Sequence, residues 1–425
     1  MSLAGILFLF FGILLSIAIH EIGHMVPAKK FGVKVTQYMV GFGPTLWSKV
    51  KGDTEYGVKA IPLGGYIRMI GMIPPANRPQ KSNGRFSQIA EEARLQSLSE
   101  ITPGDENRVF YKLSTPKKLV VMIGGPFMNL VLAFLIFTVA FVGLGVPAAT
   151  NQVREVVQCL PSEINLSGEC EIGATASPAT LAGIQNGDII KSIGGTPVSN
   201  WTEVGQAISE ADTRDFALTP IVVERDGQNI SLRAEIVLVT RPASQGVPET
   251  QSPYLGISPE VKMQRESIEE VFVVMANITT ATGQAILSLP ARIGDLFGAA
   301  FLGEQRDPEG LVGVVGVTRV GGEIAAADLP ASWRFVQLLL LLGSMNMALF
   351  LFNMIPLLPL DGGHVAGALY EGARRQLAKL FRKPTPGPAD VAKMLPIAYS
   401  MASVLLVLGL LLIYVDLVNP IRLGG

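Results

Sequence analysis

His20-Glu21-Ile22-Gly23-His24 closes an unbroken apolar run: residues 1–19 carry no charge. Three further stretches are charge-free, 119–153, 335–360 and 394–415. Each is about as long as the roughly 20 residues that cross a bilayer as a helix. Over the 425 residues, 49% are apolar and 16% charged, below the quarter or so charged in soluble domains. The first run does not follow the signal-peptide pattern, since Met1-Ser2-Leu3-Ala4-Gly5 has no Lys or Arg and no small-residue cleavage site follows. The expectation is an α-helical polytopic membrane protein with four transmembrane helices.

Charge orients it. Between the first two runs, residues 27–118 hold 15 Lys+Arg against 7 Asp+Glu, a balance of +8. Residues 147–332 hold 11 against 23, a balance of −12. Beyond the third run, Arg374, Arg375, Lys379, Arg382, Lys383 and Lys393 outnumber Glu371 and Asp390. Positive loops stay cytoplasmic. Both termini and the long acidic segment therefore face outward. Stretch 271–291 is also uncharged, but Asn277, Thr279, Thr280, Thr282, Gly283 and Gln284 dilute it. A crossing there would push the Arg374–Lys383 loop outside, so it reads as a helix on the outer surface.

The chain divides accordingly. A first transmembrane helix with the His-Glu-x-x-His motif (1–31) leads into a cytoplasmic loop and membrane-associated β region (32–117). A second transmembrane helix (118–146) precedes an extracytoplasmic α/β domain (147–259) and an extracytoplasmic connecting segment with the surface helix (260–333). The third transmembrane helix (334–365), a cytoplasmic loop (366–394) and the fourth helix (395–418) follow. Residues 35–69 alternate apolar and polar between glycines, as short strands do. Residues 72–118 are polar, with Pro74-Pro75, Pro79 and Pro103-Gly104, and read as loop around one helix near 86–97. In the outward domain a helix over 201–210 precedes a hairpin turned at Asp226-Gly227. Its Gly187-Asp188-Ile189-Ile190 and Ile193-Gly194-Gly195 resemble a bacterial PDZ domain; PDZ domains bind extended peptides at a sheet edge. The only cysteines, Cys159 and Cys170, lie in this segment, where an oxidising compartment favours a disulfide.

The chain has three histidines, His20, His24 and His364. In a helix, residues four apart share a face, so His20 and His24 suit one metal ion, with Glu21 near enough to act as a base on water. Ionisable groups at the end of a 19-residue apolar run are costly unless they function. A catalytic zinc takes three protein ligands and leaves one position open. The third run ends Asn353-Met354-Ile355-Pro356-Leu357-Leu358-Pro359-Leu360-Asp361-Gly362-Gly363-His364. Both this run and the first go from outside to inside, which levels Asp361 with the histidines. His364 is the rival third ligand.

The His-Glu-x-x-His stretch together with Asn353-x-x-Pro356-x-x-Pro359-x-Asp361-Gly362 resembles the site-2 protease family. Gly124-Gly125-Pro126-x-x-Asn129 and a single outward PDZ-like domain fit its bacterial members. The second proline stands one place later than in the family pattern, with the Asn-to-Asp spacing kept. The resemblance implies a zinc endopeptidase, one Zn2+ per chain, that cuts single-span membrane proteins inside the bilayer in regulated intramembrane proteolysis. Substrates would be anti-sigma factors or signal-peptide remnants, pre-trimmed by another protease. Its site would be His20, His24 and Asp361 on the metal, Glu21 as base, and Asn353 and Asn129 on the substrate. Stretch 35–69 would pair with the unwound substrate strand. The expected setting is the plasma or inner membrane, with the active site near the cytoplasmic side and no nucleic-acid partner. A metal transporter or a silent receptor would also use membrane spans, but neither needs a general base at Glu21.

Overall fold

A computed structural model describes residues 2–75, 85–163, 169–211, 213, 217–241, 250–302, 306 and 310–420. Pro79, read above as loop, lies outside them. The chain forms two compact units, residues 1–144 with 266–425, and residues 145–265. The first unit begins with α1 (Leu3–Lys30), β1 (Val35–Lys51), β2 (Thr54–Met69), α2 (Arg85–Ser99) and α3 (Thr115–Thr138). The second holds β3 (Val146–Val156), α4 (Pro178–Ala182), β4 (Ile189–Ile193), β5 (Thr196–Pro197), α5 (Trp201–Ser209), β6 (Leu218–Arg225), β7 (Gln228–Glu235), β8 (Val237–Arg241), β9 (Thr250–Tyr254) and β10 (Ile257–Gln264). The first resumes with α6 (Ile268–Leu287), α7 (Leu289–Phe297), α8 (Val314–Ala326), α9 (Ala331–Asn353), α10 (Asp361–Leu380) and α11 (Leu395–Val418).

Three helices build the centre of the first unit. α1 and α9 run in the same direction: Phe8 meets Phe335 edge-on at 5.9 Å, Gly12 faces Leu342, and Asn346 donates to Ser16 at 3.0 Å. α3 runs the opposite way, with Gly124 against Gly23 and Phe137 against Gly343. A Cβ on Gly23 or Gly124 would collide with the other's carbonyl. Small residues let helices approach this closely where lipid offers no hydrophobic drive. The unit exposes large apolar side chains and buries a set of polar ones among its apolar core. Phe11, Leu15, Phe127, Leu135, Leu406 and Leu410 are exposed, while Ser16, His20, Glu21, His24, Asn129 and Asn346 are buried. A lipid surround rewards that inversion, because water would favour the reverse.

Among the described residues, five helices are long and apolar enough to cross a membrane: α1, α3 with its π-helical continuation to Leu144, α6, α9 and α11. α6 carries most of the stretch that the sequence reads as a surface helix. The third apolar run does not continue as helix to its end. α9 stops at Asn353, residues 354–360 are non-helical around a cis Leu358–Pro359 bond, and α10 starts at Asp361. The segment 366–394, read as loop, is therefore helical as far as Leu380. α10 is docked on α3 by a buried ion pair, Lys118 Nζ to Glu371 Oε2 at 2.8 Å, with Arg375 and the Ala389 N–H on the same carboxylate.

The 35–69 region departs from the expectation of short strands. β1 and β2 are 17 and 16 residues long and repeatedly bulged. Gly41 and Gly64, at φ of 95° and 123°, take backbone positions that a side chain would resist. The ribbon thus folds back on itself, and residues 37–40 lie between 55–58 and 65–68. That leaves 65–69 at the sheet's edge.

In the second unit the sheet order is β10-β3-β4-β6-β7, with β5 beside β4. Its core gathers Ile190, Ile193, Val204, Ile221 and Val223, with α5 on one face. The hairpin between β6 and β7 turns at Asp226 and Gly227, both at positive φ, as a tight Asp-Gly turn requires. β10 pairs with β3 out to Gln264 opposite Val146, so the unit ends near 265 rather than 259. Cys159 and Cys170 are joined by a disulfide, Cα to Cα 5.9 Å. Asp188, buried, takes Arg225 Nε at 2.7 Å.

Candidate metal and catalytic centre

α1 presents His20 and His24 one turn apart on its buried face, and α10 opens with Asp361 against them. His20 Nε2 lies 3.1 Å from Asp361 Oδ2, His24 Nε2 lies 3.3 Å from the same oxygen, and the two Nε2 atoms are 3.2 Å apart. These three are the cluster of potential metal ligands found among the described residues. A regular tetrahedron with edges of this length has its centre about 2.0 Å from each corner, the bond length zinc makes to imidazole and carboxylate. The donor set is borderline nitrogen and hard oxygen, which suits zinc. The residues fit the metal, and three of them leave a fourth direction open.

The shell around the donors is uneven. His24 Nδ1 lies 2.7 Å from the Val121 carbonyl of α3, so its N–H donates there and leaves Nε2 for the metal. His20 Nδ1 is buried with no hydrogen-bond partner. Gly125 makes room for the His24 ring; a Cβ there would strike it.

Glu21 is buried beside the donors, and its carboxylate meets the backbone amide of Ile67 on the sheet edge. Gly65 allows this contact, since an added Cβ would sit 3.0 Å from Glu21 Cγ and 3.1 Å from the Met39 carbonyl. Tyr38 braces the sheet on α1, donating to the Ala18 carbonyl at 2.8 Å. A cavity of about 340 Å³ opens over the donors, lined by His20, Glu21, His24, the strip Gly65, Tyr66, Ile67 and Met69, and by Met72, Met122, Asn353, Pro359, Asp361 and His364. The sequence signals the strip only through its alternation around Gly64-Gly65. Nothing in the sequence marks Met72 or Met122.

The other expected residues divide. Asn353 is at the cavity wall as the last residue of α9; one N–H of its amide donates to the Leu349 carbonyl at 3.0 Å, leaving the second free. His364 lines the cavity but is not in the donor triangle. Asn129, expected as a second substrate contact, is 1% exposed inside the bundle and is not among the residues lining this cavity.

The family model for peptidase family M50 matches residues 8–385. The chain belongs to that family. It is an enzyme of the site-2 protease type, a zinc metalloendopeptidase. Among similar proteins is the zinc metalloprotease Rip1 of Mycobacterium tuberculosis, 35% identical over 438 positions that cover 100% of this chain and 99% of the relative. The zinc metalloprotease RasP of Shouchella clausii is 25% identical, over 84% of this chain and 87% of its own. The metalloprotease MmpA of Caulobacter vibrioides is 26% identical, over 86% of each.

Proposed function

We propose that this protein cuts peptide bonds within the transmembrane segment of single-span membrane proteins, as a step of regulated intramembrane proteolysis. The observation that carries the reading is the donor triangle of His20, His24 and Asp361 with Glu21 beside it, set inside an apolar helix bundle and open to an edge strand. His20, His24 and Asp361 would hold the zinc, which when bound would supply Lewis acidity toward water and the scissile carbonyl. Glu21 takes the proton that the attacking water releases and delivers it to the leaving amine. Asn353 directs its free N–H at the carbonyl oxygen as charge develops there. The strip 65–69 lies at the sheet's edge, and a substrate unwound from helix satisfies its backbone groups by adding to that edge.

Four crossings are proposed, α1, α3, α9 and α11. The parallel course of α1 and α9, with α3 opposed, supports this: the end of α3 and the start of α9 lie at one end of the bundle. An even number of crossings must therefore separate them, and α6 alone would make the number odd. The +8 and −12 balances support a cytoplasmic active-site end and an outward location for residues 145–265, read as a PDZ-like unit. A folded outer unit suits substrates already trimmed by another protease, such as anti-sigma factors or signal-peptide remnants. Purified protein reconstituted with a model single-span substrate should cleave it within the span, and a zinc chelator should stop the cleavage. A substrate left intact by zinc-replete protein would count against the reading.

A further inference from the structure

Three buried polar atoms in the membrane unit matter here because they have no hydrogen-bond partner: His20 Nδ1, Asn129 Oδ1 and Asn346 Oδ1. A buried polar atom left unpaired is costly, because it forfeits its bonds to water and gains none in return. A metal-bound histidine almost always donates its second N–H to some acceptor. His24 does so, to the Val121 carbonyl; His20 has nothing. The register of α1 against α3 shows which acceptor faces it.

The His24 ring spans one turn of α3, with Nδ1 at the Val121 carbonyl and Nε2 against Gly125. His24 Nε2 and His20 Nε2 point at each other across 3.2 Å. The Nδ1 atoms therefore point apart, that of His24 inward toward residue 121 and that of His20 the other way. One turn outward from His24 on α1 is His20, and one turn outward from Gly125 on the antiparallel α3 is Asn129. Asn129 is 1% exposed. Asn346 is a turn further out, where it donates to Ser16.

We infer that Asn129 is the positioning residue for His20: its side-chain carbonyl accepts the Nδ1–H of the imidazole through one buried water that links the two otherwise unpaired atoms. The pairing fixes the tautomer that leaves Nε2 free for the metal and holds the ring in the plane of the donor triangle. It rests on the metal site argued above but not on cleavage, so it is tested by zinc affinity. Asn129 thus completes in side-chain form what the Val121 carbonyl does for His24.

The test uses the full-length chain in lipid nanodiscs. Zinc affinity is measured by competition with a fluorescent chelator for wild type, Asn129→Leu, Asn129→Asp and Asn346→Leu. Loss of an outer partner costs roughly 10–100-fold in metal affinity, so Asn129→Leu should fall by that much. Asn129→Asp keeps the acceptor and should stay within a few-fold of wild type, while Asn346→Leu should not change. A second readout does not depend on Asn129→Leu folding. With only three histidines in the chain, selective 15N labelling resolves the ring N–H protons, and Asn129→Asp should shift that of His20 while leaving that of His24. Wild-type affinity in Asn129→Leu, a loss in Asn346→Leu instead, or an unmoved His20 resonance would each overturn the assignment.

Discussion

His20 Nε2 lies 3.1 Å from Asp361 Oδ2 across 341 residues of sequence. Helix α1 supplies one partner, and the break between α9 and α10 supplies the other. Pro356 and Pro359 each lack an N–H and carry a ring that clashes with the preceding turn, which disfavours helix here, and α9 ends at Asn353. The interruption swings the chain so that a fresh helix starts at Asp361, with the carboxylate in its first turn.

The proposed orientation, which the charge balances support, can be read directly. Reporter fusions after Arg382 should read cytoplasm, and one after Asn229 should read exterior. An exterior signal at Arg382 would require α6 to cross and would separate Asp361 from the cytoplasmic end assigned to it.

The sheet edge should matter to rate rather than to metal. In Gly65→Val the new side chain enters the space that Glu21 Cγ and the Met39 carbonyl occupy at 3.0 and 3.1 Å. The strip must retreat from the cavity, and displacement of about 1 Å costs on the order of 100-fold in rate. Zinc content should stay near that of wild type. Elemental analysis beside cleavage of one reconstituted substrate separates the two effects; full activity would remove the strip from substrate binding.

The second unit, residues 145–265, should have an acid limit set by Asp188. Burial pushes its carboxyl up, but the Arg225 guanidinium and the Gln185 amide outweigh this and hold it below the ordinary carboxylate value. A carboxyl lowered by folding stabilises the fold above its unfolded pKa, and that contribution is lost as pH falls through the folded value. Hydrogen-exchange protection of β4 and β6 should therefore decline in wild type only at strongly acid pH. In Asp188→Asn protection should be weaker at neutral pH and less dependent on acid. Equal protection in the two proteins at neutral pH would remove the pair from the account.

Much of this was legible in the chain. Charge-free runs marked the helices that carry the site, His20-Glu21-x-x-His24 marked one wall, and the proline pair before Asp361 marked the other. What escaped was geometry that no single residue encodes. Residues 37–40 are flanked on both sides because bulges fold one ribbon back on itself, and alternation alone reads that as separate short strands. The polar string of 366–380 hid a helix because its docking rests on Lys118, some 250 positions away. Asn129 sits in a motif, yet its side is set by its phase relative to Gly125. The stretch 271–291 stayed ambiguous for a physical reason: its threonines and Gln284 dilute a helix still apolar enough to span.

Zinc per chain, measured beside cleavage in Glu21→Gln, tests the central claim most directly. The substitution keeps size and polarity but removes the proton acceptor, and Glu21 is outside the donor triangle. Bound zinc should remain near that of wild type while cleavage of a reconstituted single-span substrate falls to background; Asp361→Ala, by contrast, should lose both. A Glu21→Gln protein that still cleaves would contradict the mechanism, and one that loses its zinc would place Glu21 on the metal instead of beside it.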